Sequence, residues 1–116
     1  MKTGMMMLTA FFALAPLGYA AAQGVMTDDA KMTLYTFDKD TDGKSACYDD
    51  CAKNWPPYLG KAGDTKGEGW ALVDRTDGSQ QWAYKGKPVY LYHEDAKEGD
   101  AMGDGKGGGT WHKLTE

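Results

Sequence analysis

An aromatic pattern that occurs twice constrains this chain more than any other feature. Tyr35-Thr-Phe37-Asp-Lys-Asp40 and Tyr90-Leu-Tyr92-His-Glu-Asp95 each carry a tyrosine, a second aromatic two residues on and an aspartate five on. A tryptophan then follows each copy across a stretch of loop residues, Trp55 in the first and Trp111 in the second. Duplication of this kind means two similar half-units that bury their apolar faces together. The expected division is residues 23–62 and 63–116, with the polar, glycine-rich stretch from Gly60 to Gly69 as a surface loop at the junction. That junction is no domain boundary, because a half of this size cannot cover its own aromatics.

Alternation is the dominant period between turn signals. Thr33–Phe37, Trp70–Val73, Gln81–Tyr84 and Val89–Tyr92 are short, rich in aromatic and β-branched residues, and bounded by Gly, Asp or Pro. Lys85-Gly86-Lys87 and Thr76-Asp77-Gly78-Ser79 read as tight turns, and Pro88 is tolerable at a strand start. One helix is expected from about Ala46 to Trp55, with Ser45 as its cap, Asp49 and Asp50 at its positive end and Pro56-Pro57 as its stop. The fold class is therefore mainly β: a small single domain of short antiparallel strands in two pseudo-repeats, with one short helix.

With these residues in view, the chain resembles the small secreted bacterial repeat proteins, often lipoproteins, defined by a Tyr-x4-Asp motif. The resemblance extends through Gly43–Cys47, Cys51–Pro57, Trp82–Pro88 and Gly103–His112. That family has no established biochemical function, so the resemblance implies a fold and an address but no reaction. Many relatives carry a cysteine at the signal cleavage point for a lipid anchor, whereas Ala21, Ala22 and Gln23 stand there here.

Residues 1–22 read as an export signal, with Lys2 as the charged start, an apolar run from Met5 to Leu17 and Ala20-Ala21-Ala22 as the cleavage site. The run is short for a membrane span, which needs about 20 apolar residues. The expected mature domain, residues 23–116, is soluble and periplasmic or secreted. Lys2 lies in the signal, so the mature part keeps 12 of the 13 basic residues against 17 acidic ones, a formal charge of −5. Without a basic stripe, nucleic acid is excluded as a partner.

Cys47 and Cys51 are the only cysteines, four apart, which on a helix puts their Cα atoms about 6 Å from each other and within disulfide range. In an oxidising compartment a structural bridge is the simplest reading. A Cys-x3-Cys pair also suits Cu(I) or thiol exchange, although Asp49 and Asp50 beside it oppose a reactive thiolate.

Asp38, Asp40, Asp42, Gly43 and Asp49 match the start, the glycine and the closing carboxylate of a calcium loop. The closing residue is the shorter Asp, Ser45 replaces an apolar residue, and a strand precedes the loop, so a solvated turn competes with a calcium site. Repetition gives the motif residues Tyr35, Phe37, Asp40, Tyr90, Tyr92 and Asp95 a structural meaning. A carboxylate after a strand end accepts turn amides or the hydroxyl of an aromatic partner, and a small domain needs that twice.

Gly103-Asp-Gly105-Lys-Gly107-Gly108 has the spacing of a phosphate-binding loop but no strand-to-helix context, so it reads as a tight loop returning Trp111 to the core. Ser45 and Ser79 sit in no nucleophile-elbow sequence, and His93 and His112 define no zinc site. No catalytic site and no cofactor is expected. The sequence reads as a non-enzymatic binding or envelope-associated domain whose partner is an unknown envelope protein or small ligand, with a copper, calcium or thiol-redox accessory role as the alternative.

Overall fold

Eight short elements follow one another in the computed structural model, which describes residues 24–116. The expected export signal lies outside them. The elements are β1 (Tyr35–Phe37), α1 (Asp50–Asn54), β2 (Leu59–Gly60), β3 (Trp70–Asp74), β4 (Gln80–Tyr84), β5 (Lys87–Pro88), α2 (Lys106–Gly109) and β6 (Trp111–Lys113). β1 pairs antiparallel with β6, and β4 is flanked by β2 and β3 in a second antiparallel sheet, with β5 also on β4. Among the described residues no helix is long and apolar enough to cross a membrane.

Local chemistry explains the second half. Lys85 and Gly86 form a two-residue loop between Tyr84 and Lys87, with φ of 51° and 85°. Two successive positive φ values match the twist of the flanking strands, as hairpin turns require. At the other end of β4, Asp77 accepts the Ser79 N–H at 2.9 Å and Gly78 takes φ 93°, which turns β3 into β4. Strands 70–74 and 80–84 stand where alternation put them. The expected strand over Val89–Tyr92 is reduced to bridges from Tyr90 to Tyr35 and Pro57, and the one over Thr33–Phe37 begins two residues late.

The helix also differs from expectation. It covers only Asp50–Asn54, and Ser45 does not cap it. Residues 45–48 run without regular structure, and Asp49 enters a left-handed conformation with φ 54° directly before the first helical residue. The cause is that Ser45 and Cys47 are engaged in the core, as described below, so a helix starts only once the chain has left it. Lys106–Gly109, the second helical turn, is made by left-handed glycines at 107 and 108.

A pseudo-twofold relates the two halves, visible in matched backbone hydrogen bonds. Tyr35 and Tyr90 exchange N–H to O bonds of 2.8 and 2.9 Å on the axis itself. Asp38 N–H to Thr110 O repeats as His93 N–H to Asn54 O, and Leu114 N–H to Leu34 O repeats as Tyr58 N–H to Val89 O. The halves are interlaced: Leu59, closing the first, pairs with Gln81, opening the second, while Thr115 pairs with Val25.

The core lies on the axis. Tyr35, Cys47, Trp55, Tyr90, Tyr92 and Trp111 form its main buried cluster, with Leu34, Val89 and Leu114 beside it. Phe37, Trp111, Trp55 and Tyr92 stack in that order, with successive centroids 4.1, 3.8 and 4.3 Å apart. The two tryptophan planes differ by 2°, and Tyr35 and Tyr90 meet Trp55 and Trp111 edge-on. A ring of about 200 Å² buried at about 25 cal/mol per Å² contributes on the order of 5 kcal/mol, which is how a glycine-rich chain offsets its ordering entropy.

Candidate functional site

The motif residues meet across the axis. Tyr35 of the first copy donates its hydroxyl to Asp95 Oδ2 of the second at 2.5 Å, and Tyr90 of the second donates to Asp40 Oδ2 of the first at 2.7 Å. Each carboxylate uses its other oxygen to hold its own loop: Asp40 Oδ1 accepts Ala46 N–H at 2.7 Å and Asp95 Oδ1 accepts Met102 N–H at 2.8 Å. Each aspartate also closes a turn by donating its N–H to the second aromatic of its motif, at Phe37 O and Tyr92 O, both at 3.1 Å. The result is two reciprocal clasps, each joining one half's strand to the other half's loop.

Burial shapes their protonation. Removal from water pushes both tyrosine hydroxyls well above the ordinary phenol value, and the facing aspartate pushes each further the same way. They are hydrogen-bond donors at every physiological pH. Burial also raises the Asp40 carboxyl, while the bonds from Tyr90 and Ala46 and the charge of Arg75 pull it back down.

The clasps differ in how the tyrosine oxygen is completed. At Tyr35 it accepts Gly103 N–H directly at 3.2 Å. At Tyr90 the hydroxyl of Ser45 intervenes, 2.6 Å from Tyr90 and itself accepting Cys47 N–H at 3.1 Å. Arg75, nearly fully buried, adds a donor from Nη1 to Ser45 Oγ at 3.2 Å and to Gln81 Oε1 at 2.8 Å, and from Nη2 to Cys47 O at 2.9 Å. Because Tyr90 donates to Asp40, Ser45 must donate to Tyr90, so a chain of donors runs from guanidinium through Ser45 and Tyr90 to carboxylate. Arg75 stacks over the Tyr48 ring at 4.2 Å. Nothing in the sequence singled out Arg75, since one arginine after a strand carries no pattern.

Cys47 and Cys51 are bridged, with Cα atoms 5.2 Å apart, and Cys47 is fully buried in the main core cluster. The bridge spans the approach to α1 and does not ride on a helical turn, because only Cys51 is helical. In the second half the same places hold Gly103 and Gly107. A Cβ on Gly103 would stand 2.5 Å from Trp55, so that half closes by removing side chains where the first cross-links them.

Of the carboxylates weighed for calcium, Asp38 and Asp40 are taken by other partners, and Asp42 and Asp49 sit at positive-φ positions of turns. Asp38 pairs with His112 Nε2 at 2.8 Å, both Asp40 oxygens are engaged, and Asp42 sits at a turn with φ 53°. Among the described residues no three His, Cys, Asp or Glu side chains come together in a group suited to a metal ion.

The halves differ most in what covers their opening strand. β3 lies along the outer edge of β4 and delivers Arg75 beside the Asp40 clasp. The corresponding strand in the first half, around Val25–Asp28, bonds inward through Met26 N–H to Leu114 O and Asp28 N–H to Met32 O. Val25 and Thr27 face Thr115 and Thr33 as bridge partners that exchange no hydrogen bond of their own, so their N–H and C=O turn outward, and no described backbone group bonds to them. Below that edge lies a groove of about 490 Å³ lined by Val25, Thr27, Lys31, Thr33, Glu98, Gly99, Ala101 and Lys113. Val25 and Ala101 occupy the places of Gln81 and Ser45, so the polar partners of Arg75 are replaced by apolar ones.

The model of a family described as a secreted repeat of unknown function matches the chain twice, over residues 20–58 and 71–115, and the chain belongs to that family. No curated protein and no solved structure matches it.

Proposed function

We propose that this member of the secreted-repeat family is a non-enzymatic binding module of the periplasm or cell envelope, and that its binding surface is the open edge at Val25–Thr27. The single observation that carries the reading is the unequal covering of the two equivalent strand edges. One is filled by β3 with Arg75 inserted, and the other turns outward backbone groups that no described backbone group bonds, above a groove that holds Val25 and Ala101 among Lys31, Glu98 and Lys113. Strand addition at such an edge draws affinity from main-chain hydrogen bonds and specificity from a side-chain pocket. The occupant is an extended segment of a partner polypeptide with an apolar side chain where β3 has arginine, because Val25 and Ala101 stand where Gln81 and Ser45 bind that arginine.

This reading is preferred to a metal or thiol-redox accessory role because the residues with that chemistry are already committed. Cys47 is bridged and buried, Asp38 is paired with His112, and Asp40 is saturated by Tyr90 and Ala46.

Isotope-labelled protein titrated with a synthetic extended peptide bearing a central leucine tests it. Amide shifts are expected at Val25–Asp28 and Glu98–Ala101 and not along Gln80–Tyr84, and Val25→Pro, which removes an outward N–H, should abolish them. Shifts scattered over the surface, or binding unaffected by Val25→Pro, would overturn the reading.

A further inference from the structure

A second feature uses none of the residues of that groove. Trp70 stands at right angles to both Tyr58 and Trp82, to Tyr58 at 87° with centroids 6.3 Å apart and to Trp82 at 89° and 6.2 Å. The ammonium of Lys66 sits between them, 5.2, 5.4 and 5.6 Å from the centroids of Tyr58, Trp70 and Trp82, and donates to Tyr58 Oη at 3.0 Å. Two indole faces and the hydroxyl edge of Tyr58 directed at one cation make an aromatic cage, since the indoles present their negative quadrupoles and the phenol its oxygen to the charge.

Lys66 is brought there by a loop with little other attachment. From Lys61 to Gly67 its further hydrogen bonds close locally, Asp64 N–H to Lys61 O, Lys61 N–H to Asp64 Oδ2 and Trp70 N–H to Gly67 O, and the tie to the rest of the fold comes only beyond, where Lys85 N–H donates to Gly69 O at 2.7 Å. Gly63 and Gly67 both take left-handed φ, and residues 61–65 are exposed. A pocket of about 250 Å³ adjoins the cage between Tyr58, Trp82 and the loop, with Asp29 and Asp64 in its lining. Its acidic lining and aromatic floor suit a cation larger than the one now held.

The geometry points to a ligand site for a quaternary ammonium group that Lys66 occupies in cis. A primary ammonium is strongly hydrated and loses water hydrogen bonds on entering the cage, with one bond to Tyr58 in return. A trimethylated nitrogen has no hydrogen to solvate, keeps its full charge and fills more of the space against the rings. An external ligand therefore displaces Lys66, and the loop from Lys61 to Gly67 swings out as a lid.

Tryptophan fluorescence titrations with choline and with 3,3-dimethylbutanol, its uncharged carbon isostere, test the site, on wild type and on Lys66→Ala, a substitution on the exposed loop. Choline should saturate the signal and the isostere should not, and emptying the cage by Lys66→Ala should tighten choline binding about tenfold. Tyr58→Leu and Trp70→Leu should each abolish the response while leaving far-ultraviolet circular dichroism unchanged. Co-sedimentation with phosphatidylcholine but not phosphatidylglycerol vesicles would place the group on a lipid headgroup, and a response to free choline alone would place it on a soluble molecule. If Lys66→Ala binds choline no better than the isostere, the cage is an internal latch and the proposal fails. Loss of fold in either ring variant leaves that comparison intact.

Discussion

The clasp at Asp40 and the clasp at Asp95 share one bond and are finished by different means. Both join a buried tyrosine to a carboxylate across the axis, at 2.7 and 2.5 Å. Around Asp40 the chain adds Ser45, a buried arginine and a disulfide, whereas around Asp95 it subtracts, leaving Gly103 and Gly107 against the rings. The common bond therefore builds the frame, and the additions are local solutions to filling the same space. The first half closes its clasp with polar networks, and the second does so with close backbone approach.

The sharpest test of that contrast is steric. Gly103→Ala places a carbon 2.5 Å from Trp55 and should destabilise the fold by about 3 kcal/mol in denaturant unfolding, because the stack has no slack. Its counterpart Cys47 tolerates a side chain, so Cys47→Ala with Cys51→Ala should cost less. A Gly103→Ala protein as stable as wild type would mean that the two halves close alike.

Next in size are the clasp aspartates. Asp40→Ala and Asp95→Ala should each cost about 2 to 3 kcal/mol, the result of leaving a buried hydroxyl and a backbone N–H unpaired. Asparagine should separate them. At position 40 its oxygen keeps Ala46 and its amide donates to Tyr90, which then donates to Ser45; Ser45 turns its own proton to Cys47 O and gives up one of the two bonds it accepts from Cys47 N–H and Arg75, so the network reverses at a cost of about 1 kcal/mol. At position 95 the reversed Tyr35 hydroxyl faces the Gly103 N–H, a donor, and Asp95→Asn should cost nearly as much as alanine. Equal costs for the two asparagines would remove the distinction between a relayed and a direct clasp.

Removing the disulfide should cost about 2 kcal/mol, the chain-entropy value for so short a loop, and should leave the Asp95 clasp unaffected in amide exchange. The smallest effect is a pH dependence. Burial raises the Asp40 carboxyl, so the native state binds its proton more tightly than the unfolded chain. Wild type thus loses stability relative to the non-titrating Asp40→Asn as pH rises from just below the ordinary carboxylate value through the raised one. The penalty of the substitution should shrink over that window, and a penalty that grows instead would reverse the assigned cause.

Much of this frame is readable in the sequence because a repeat reports itself. The spacing from Tyr35 to Asp40 and from Tyr90 to Asp95, with Trp55 and Trp111 behind, fixes two equivalent turns and places both tryptophans inside. The turns at Lys85-Gly86 and Asp77-Gly78 are equally local. What stays hidden is long-range choice. That Tyr35 takes the other copy's aspartate and not its own depends on pairing across the axis, which no spacing encodes. Ser45 looks like a helix cap because it precedes a helical stretch, yet a buried tyrosine competes for its hydroxyl and wins. Lys66 lies in a stretch whose polarity and glycines indicate only a loop, so the three rings around it appear only when β3 and β4 pair.

The exchange of closing strands, Leu59 onto Gln81 and Thr115 onto Val25, makes the molecule a tethered homodimer in design. Each half supplies an edge that only its sibling completes, so half a gene would encode a protomer obliged to find a second copy. Joined in one chain, the protomers meet at a fixed effective concentration, and their sequences are free to diverge without losing one another. Ser45, Arg75 and the disulfide on one side, and glycines and an edge that no described strand covers on the other, are what that freedom has allowed.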